Sequence, residues 1–200
     1  MKLGIVADIH EEATLLRQCL QTLRDLDVHR IVMLGDVCDA GQRLDETCQL
    51  LTDSGVKGVW GNHDLGLCVR PEGEVCQHFA PETLAFMQSL TARMVIDDCY
   101  FSHIEPWLNP ELLEDLWFFD GFPQTPERRE KIFSAQPQRI QFAGHYHRWF
   151  LVEPGRSVPW NGAEPVCLKQ GSYFVVVNAL VNGVFATYDT ESGWLTPFRL

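Results

Sequence analysis

The stretch LGIVADIH, residues 3–10, is a short apolar run that leads directly into an aspartate and a histidine. Residues 3–7 are aliphatic and partly β-branched, which indicates a buried strand. Residues two apart in an extended segment point to the same side, so Asp8 and His10 can face one site together. The stretch therefore predicts a strand that presents two polar groups at its carboxyl end.

The sequence that follows alternates between helix and strand patterns. Apolar residues recur at helical spacing within 11–26, and RIVMLG at 30–35 predicts a second strand. Residues 43–54 predict a second helix that ends at Gly55, and KGVWG at 57–61 predicts a third strand. This order is typical of parallel βαβ units with right-handed crossovers.

The remainder of the chain is less regular. We predict helices over 81–90 and 126–136, the second capped by Thr125, strands over 95–102 and 139–143, and two or three strands within 166–200. Asn182-Gly183 suits either a hairpin turn or a loop. Residues 105–125 are rich in Trp, Phe and Pro and predict an irregular excursion. We expect one domain over residues 1–200, because the sequence contains no repeat and no linker pattern.

Five predicted strands run into side chains that can bind metal. These side chains are Asp8 and His10, then Asp36 and Asp39, then Asn62, His63 and Asp64, then His103, and finally His145 and His147. In open α/β sheets ligands bind at the carboxyl ends of the strands, so we expect the groups to converge. A single aspartate here is often only a helix cap, and Asp39 could be one. His29 and His78 lie away from strand ends, and we interpret them as surface residues.

The composition restricts the class of partner. The net charge of −11 argues against a nucleic-acid polymer or an anionic membrane, but bound cations could still attract a small anionic substrate. The seven cysteines are odd in number and lack C-x-x-C spacing, so they predict neither a disulfide framework nor a zinc ribbon. There is no signal-peptide pattern and no long apolar run. We therefore expect a cytoplasmic protein without a membrane span.

The motifs at the strand ends resemble those of the calcineurin-like metallophosphoesterases, and in particular of the small bacterial-type phosphoesterase and phosphodiesterase branch. They are D-x-H at 8–10, G-D-x-x-D at 35–39, G-N-H-D at 61–64, the single His103, and G-H-x-H at 144–147. The resemblance extends over residues 8–147. It implies a four-layer α/β sandwich, in which helices flank two packed mixed sheets, with a two-metal centre.

The resemblance also implies a role for each group. One metal would be held by Asp8, His10, Asp36 and His147, and the other by Asp36, Asn62, His103 and His145. Asp36 would bridge the two metals. His63 would contact the substrate phosphate, and Asp64 would orient His63.

The chemistry of these groups is consistent with that implication. Mixed imidazole and carboxylate ligands suit Mn, Fe, Ni, Co or Zn better than Mg or Ca, and we take Mn as the first candidate. Two such ions can hold the reacting oxygens of a phosphate ester and lower the pKa of bound water to about 7. Together with this chemistry, the resemblance implies hydrolysis of a small phosphodiester or nucleotide by attack of a metal-bridging hydroxide.

Alternatives remain at the level of substrate and of activity. A phosphomonoesterase, a dinucleoside polyphosphate hydrolase and a metal-binding scaffold of the same fold all fit the motifs. Arg148, Glu105 and Tyr146 are candidate substrate-binding residues, and Trp107 could line the same pocket. Residues 105–125 could cap the site and stack on a base or ring, belong to the core, or form an interface in a homo-oligomer. Ala40 stands where the protein-phosphatase branch has an arginine, which argues against a phosphoprotein substrate.

Overall fold

The structure, a computed structural model, describes residues 1–69, 71 and 73–200. Within these residues the strands are β1 (Lys2–Val6), β2 (Arg30–Leu34), β3 (Lys57–Val59), β4 (Met94–Ile96), β5 (Cys99–Phe101), β6 (Ile140–Ala143), β7 (Phe150–Glu153), β8 (Arg156–Val158), β9 (Val166–Cys167), β10 (Tyr173–Val176), β11 (Val184–Asp189) and β12 (Trp194–Arg199). The helices are α1 (Ala13–Asp25), α2 (Leu44–Asp53), α3 (Leu65–Cys68), α4 (Gly73–Cys76), α5 (Pro81–Ser89), α6 (Leu113–Leu116) and α7 (Pro126–Ala135).

The strands form two six-stranded sheets. The first has the order β3-β2-β1-β11-β12-β9, and the second has the order β4-β5-β6-β10-β7-β8. Strands β1, β2 and β3 are parallel to one another in the first sheet, and β5, β6 and β10 are parallel in the second. The other neighbouring strands are antiparallel. Both sheets are therefore mixed, as predicted.

Alternate residues of β1 show why the molecule has four layers. Leu3 and Ile5 are buried in the cluster between the sheets, together with Phe142 of β6. Val6 points the other way and joins the cluster that contains Leu16 of α1. On the far side, a third cluster packs α7 against the outer face of β6 and β10. The order helix, sheet, sheet, helix confirms the predicted sandwich.

The sequence misjudged several strands. A single strand was predicted over 95–102, whereas β4 and β5 form a hairpin that turns at Asp97-Asp98. Asp97 has a φ of +52°, a conformation that aspartate tolerates better than most residues, and this allows the tight turn. The region 166–200 holds four strands instead of two or three. The β7–β8 hairpin was not predicted, although Pro154-Gly155 is a turn signal.

Asn182-Gly183 does not form a hairpin turn. The strands on either side, β10 and β11, belong to different sheets. A 3₁₀ turn over Leu180–Asn182 ends at Gly183, whose φ of +70° suits glycine. This segment carries the chain from the second sheet back to the first.

Other local expectations are confirmed. Gly55, with a φ of +64°, follows the end of α2, and Thr125 caps α7 by accepting a hydrogen bond from the backbone of Arg128. Residues 105–125 are irregular apart from α6. All seven cysteines are unpaired, and His29 and His78 are exposed. Among the described residues no helix has both the length and the apolar character needed to cross a membrane.

The Thr125 cap provides a test of local stability. Thr125→Ala removes the acceptor for the Arg128 N–H and should lower the free energy of unfolding by about 0.5–2 kcal/mol. Thr125→Ser keeps the hydroxyl and should stay close to the wild type. Urea unfolding measures both variants, and equal losses from the two would contradict the capping role.

Candidate metal centre

The loops after five strands meet at one end of the molecule. Asp8 and His10 follow β1, Asp36 follows β2, Asn62 follows β3, His103 follows β5, and His145 and His147 follow β6. The first three strands belong to one sheet and the last two to the other. The groups therefore converge where the carboxyl ends of both sheets come together.

The structure brings together the four residues that the resemblance implied for one metal. Ligand atoms of Asp8, His10, Asp36 and His147 all lie within 4.8 Å of one another. The Nε2 atoms of His10 and His147 are 3.2 Å apart, and His147 Nε2 is 3.5 Å from Asp8 Oδ1. A single cation bound among these four residues, which we call the first cluster, could contact all four side chains.

The second set of residues lies directly beside the first. His103 Nε2 is 2.9 Å from Asn62 Oδ1 and 3.3 Å from His145 Nδ1. Asp36 Oδ2 is 3.4 Å from His103 Nε2 and 3.7 Å from His10 Nε2. Asp36 thus lies between the two clusters, and its carboxylate is the group they share.

The hydrogen bonds of His103 indicate that this centre suits a cation. His103 Nδ1 donates to the carbonyl of Leu34 at 2.7 Å, so Nε2 carries a lone pair whenever the ring is neutral. That lone pair faces the side-chain oxygens of Asn62 and Asp36, which are also acceptors. Lone pairs that converge in this way repel one another unless a proton or a metal ion lies between them. Two imidazoles with oxygen ligands are a donor set that fits divalent transition metals.

The pKa values follow from burial and from neighbouring charge. Burial of His145 and the charge of nearby His103 lower the pKa of His145 to about 4. For His103, burial disfavours the charged ring, but the Asp36 carboxylate and the hydrogen bonds outweigh it and raise the pKa to about 9. For Asp36, burial likewise opposes ionisation, but His103 and the His63 N–H hold its pKa below the usual range. Asp36 is therefore ionised at neutral pH.

The loops that carry the candidate ligands have an uncommon backbone conformation. Asp8, His10, Asp36, His145 and His147 have φ values from +46° to +70°. A non-glycine residue in this region costs of order 1–3 kcal/mol and persists only where its surroundings fix it. Here the loops fix one another, since the backbone N–H groups of Ile9 and His10 donate to the Asp36 carbonyl, and His145 N donates to the Asp8 carboxylate.

Two motif glycines are required because the loops approach closely. A Cβ on Gly61 would lie 2.1 Å from Asp36 Oδ1, and one on Gly35 would lie 2.6 Å from His103 Nδ1. Both distances are far shorter than a van der Waals contact. The glycine before each ligand therefore leaves room for the ligand of another loop.

Asp64 has a different role from the expected one. Its carboxylate is fully buried and accepts hydrogen bonds from the backbone N–H groups of Val37, Cys38 and Gly61 at 2.9–3.0 Å. Among the described contacts none joins it to the imidazole of His63, so the expectation that Asp64 orients His63 is wrong. Asp64 instead ties the loop after β3 to the loop after β2. Burial and the charge of Asp36 raise its pKa to about 6.

Glu11 is a positioning residue that the sequence analysis missed. Its carboxylate accepts hydrogen bonds from the backbone N–H groups of Asp39, Gly41 and Arg43 at 2.6–2.9 Å. It therefore shapes the loop that follows Asp36. Two sequence features could have indicated this role. An acidic residue directly follows D-x-H, and the loop after Asp36 has backbone N–H groups that need acceptors.

Asp39 and His63 lie together at the rim of the centre. Asp39 does not cap α2, because the cap position is Arg43. Ligand atoms of His10, Asp39 and His63 lie within 4.8 Å of one another. His63 donates its backbone N–H to Asp36 Oδ1 at 3.0 Å, and its ring is 4.9 Å from that of His10. Asp39 and His63 also line a cleft of about 560 Å³.

The burial of Glu105 contradicts its assignment as a residue that lines the substrate pocket. It is completely buried and accepts hydrogen bonds from the guanidinium of Arg128, the hydroxyl of Tyr146 and the indole N–H of Trp107. Tyr146 lies between two ligands and Glu105 lies two residues after His103. This buried network thus braces two ligand loops from behind.

The other substrate-binding candidates also have defined contacts. The hydroxyl of Tyr146 is engaged by Glu105, so only its ring can face a ligand. The guanidinium of Arg148 lies over the ring of Phe122 at 4.5 Å, and no described contact joins it to the metal ligands. Arg148 instead lines a separate cavity of about 750 Å³.

Loss of the close approach at Gly61 should disrupt the centre. In Gly61→Ala the added methyl group would collide with Asp36 Oδ1, and we expect Mn²⁺ affinity to fall at least tenfold. Gly66→Ala is the matched control, because nothing lies within 4 Å of its added Cβ. Calorimetric titration with Mn²⁺ measures both variants. Wild-type affinity in Gly61→Ala would contradict the packing described above.

The buried ion pair should be costly to break. Arg128→Met leaves the Glu105 carboxylate without its cationic partner, and we expect a loss of about 3–5 kcal/mol in the free energy of unfolding. Arg156→Met removes the partner of Glu153 at an exposed site and should leave stability unchanged. Similar losses in both variants, measured by urea unfolding, would refute the bracing role.

The chain is similar to known proteins in sequence and in fold. An uncharacterized protein of Methanocaldococcus jannaschii is 24% identical to this chain over 167 residues. The match covers 74% of this chain and 63% of that relative. The chain thus spans just under two thirds of that relative's length.

Two solved structures share the fold. A metallophosphoesterase from Sphaerobacter thermophilus superposes with a TM-score of 0.79 at 21% identity over 100% of this chain and 88% of that one. A structure described as a novel archaeal phosphodiesterase has a TM-score of 0.58 at 15% identity and covers both chains fully. At these identities the likeness concerns the fold.

The family follows from the match of the sequence itself. The model of the calcineurin-like phosphoesterase superfamily domain matches residues 1–178, which include every candidate metal ligand. With its motifs, its fold and this match, the chain belongs to the calcineurin-like phosphoesterase superfamily.

Proposed function

We propose that the protein is a metal-dependent phosphoesterase that hydrolyses a small phosphodiester or a nucleotide. The observation that carries the proposal is the pair of ligand clusters that share the Asp36 carboxylate. All seven candidate ligands are present and converge, so nothing in the centre indicates a scaffold that has lost its activity.

The side chains define what the centre would hold. Asp8, His10, Asp36 and His147 would bind one divalent transition-metal ion, and Asp36, Asn62, His103 and His145 would bind the other. We put manganese first, with Fe, Ni, Co and Zn as alternatives. Bound ions would supply Lewis-acid activation of the phosphate and of the attacking water.

His63 is the candidate proton donor. Among the described residues no hydrogen bond engages its imidazole, so the ring is free to contact a phosphate oxygen or the leaving oxygen. Ligand atoms of Asp39 and His63 lie within 4.8 Å of each other, so Asp39 is the candidate for the orienting role that was expected of Asp64. A positioned imidazole of this kind typically contributes about 10²–10⁴ to a rate.

The surroundings favour a small substrate. The cleft beside His63 measures about 560 Å³, within the range of pockets for small molecules. Ala40 lines it and offers no charge to a phosphoprotein. The net charge of −11 opposes a nucleic-acid polymer, whereas bound cations would attract a small phosphate ester locally.

Metal dependence and the role of His63 can be tested together. Protein stripped of metal and reloaded with Mn²⁺ should recover turnover of a chromogenic phosphodiester or its matching monoester, and the ratio of the two rates would define the preference. His63→Ala should lower kcat by about 10²–10⁴. His78→Ala, at an exposed histidine outside the centre, is the control. Turnover that persists without metal, or that is unchanged in His63→Ala, would refute the proposal.

Metal loading should release protons. The raised pKa of His103, about 9, means that its ring is protonated at pH 7 in the metal-free protein, whereas a ligand imidazole must be neutral. Loading should therefore release at least one proton per chain, and metal affinity should rise with pH up to about pH 9. Calorimetry in buffers of different ionisation enthalpy measures the release. Heats independent of the buffer would contradict the charged state assigned to His103.

A further inference from the structure

Four aromatic rings border the metal centre, and none of them is a candidate metal ligand. We call Trp117, Phe119, Phe122 and Tyr146 the aromatic lip. Trp117 is 54% exposed and Phe119 is 60% exposed, which is unusual for side chains of this size. Exposure on this scale excludes the possibility that these two rings belong to the core.

The lip begins next to the candidate proton donor. The ring of Trp117 is 5.2 Å from that of His63, and His63 is 4.9 Å from the metal ligand His10. A phosphate bound at the centre and contacted by His63 would therefore carry its substituent toward Trp117.

The lip is continuous on the side of Tyr146. Phe119 and Phe122 are 5.9 Å apart, and Tyr146 is 6.0 Å from Phe119 and 5.7 Å from Phe122. Arg148 covers Phe122 at 4.5 Å. Phe119 and Phe122 meet edge to face at an interplanar angle of 84°, and Phe119 remains exposed.

The backbone beneath the lip is firmly held. Between the two exposed rings, Phe118 turns inward, packs against Trp107 at 5.5 Å and lies under the guanidinium of Arg128. Arg128 also donates to the carbonyl of Asp120. The anchoring residues thus supply the core contacts, and Trp117 and Phe119 remain directed outward.

We propose that the aromatic lip binds a planar ring attached to the phosphate, specifically the base of a nucleotide. This inference rests on the proposed function, because the phosphate must be held at the metal centre. Stacking on an aromatic side chain is tolerant of base identity. It contributes about 5- to 100-fold in affinity per base.

An interface between two copies of the chain is the competing use of these rings. A stable interface buries roughly 1,200 Å² or more in total, whereas one aromatic side chain offers only about 150–250 Å². The exposed rings with the neighbouring Leu112 and Leu113 fall short of that area. The position of Trp117 beside His63 favours binding of a substrate group over a dimer interface.

The test compares a nucleotide with the sugar phosphate that has a hydroxyl in place of the base. Mn²⁺-loaded protein is titrated with AMP and with ribose 5-phosphate by calorimetry at low temperature. We expect AMP to bind about 5- to 100-fold more tightly. Trp117→Ala should bring this ratio close to one without changing the affinity for ribose 5-phosphate, and Trp117→Tyr should preserve it. Trp194→Ala, at another exposed tryptophan on β12, is the matched control.

Three results would overturn the inference. They are equal binding of the two phosphates by the wild type, a ratio that Trp117→Ala leaves unchanged, and a dimer that Phe119→Ala dissociates while the ratio stays constant. Metal-dependent turnover without a preference for AMP would refute the lip and keep the proposed function. A preference for AMP in a protein that turns over neither a diester nor a monoester would support the lip and refute the proposed function.

Discussion

The buried carboxylate of Asp36 is the group on which the rest of the site depends. It is 2% exposed, and a buried anion is costly unless cations and hydrogen-bond donors compensate for the lost water. The His63 N–H satisfies one oxygen, while His103 and His10 face the other. Without bound metal, the charge of His103 provides this compensation. The Asp36 carboxylate would be a ligand for both ions of a dinuclear centre.

Compensation at Asp36 requires that loops of both sheets come very close. That requirement accounts for the glycines before the ligands and for the left-handed backbone of five ligand residues. It also accounts for buried carboxylates outside the ligand set. Asp64 and Glu11 accept backbone N–H groups, and Glu105 holds Arg128 and Tyr146. These three carboxylates hold in place the loops whose backbone is strained at the candidate ligand residues.

The sequence was most informative where a local pattern has one physical meaning. Aliphatic strands that end in Asp or His predicted the sheets and the convergence of the ligands. It was least informative where the outcome depends on partners distant in sequence. Asp64 follows His63 directly, yet its oxygens face amides 26 and 27 residues away. Glu105 likewise lies two residues after His103, which suggested a pocket residue. Its carboxylate is instead buried against Arg128, 23 residues later. The 95–102 hairpin was missed because its turn lies within a run that otherwise reads as one strand.

The central claim is that Asp36 joins two metal sites. The most direct measurement is an anomalous difference map from crystals of the Mn²⁺-loaded protein. We predict two peaks on either side of the Asp36 carboxylate, one beside His10 and His147 and the other beside His103 and His145. A single peak, or peaks that do not adjoin Asp36, would contradict the account.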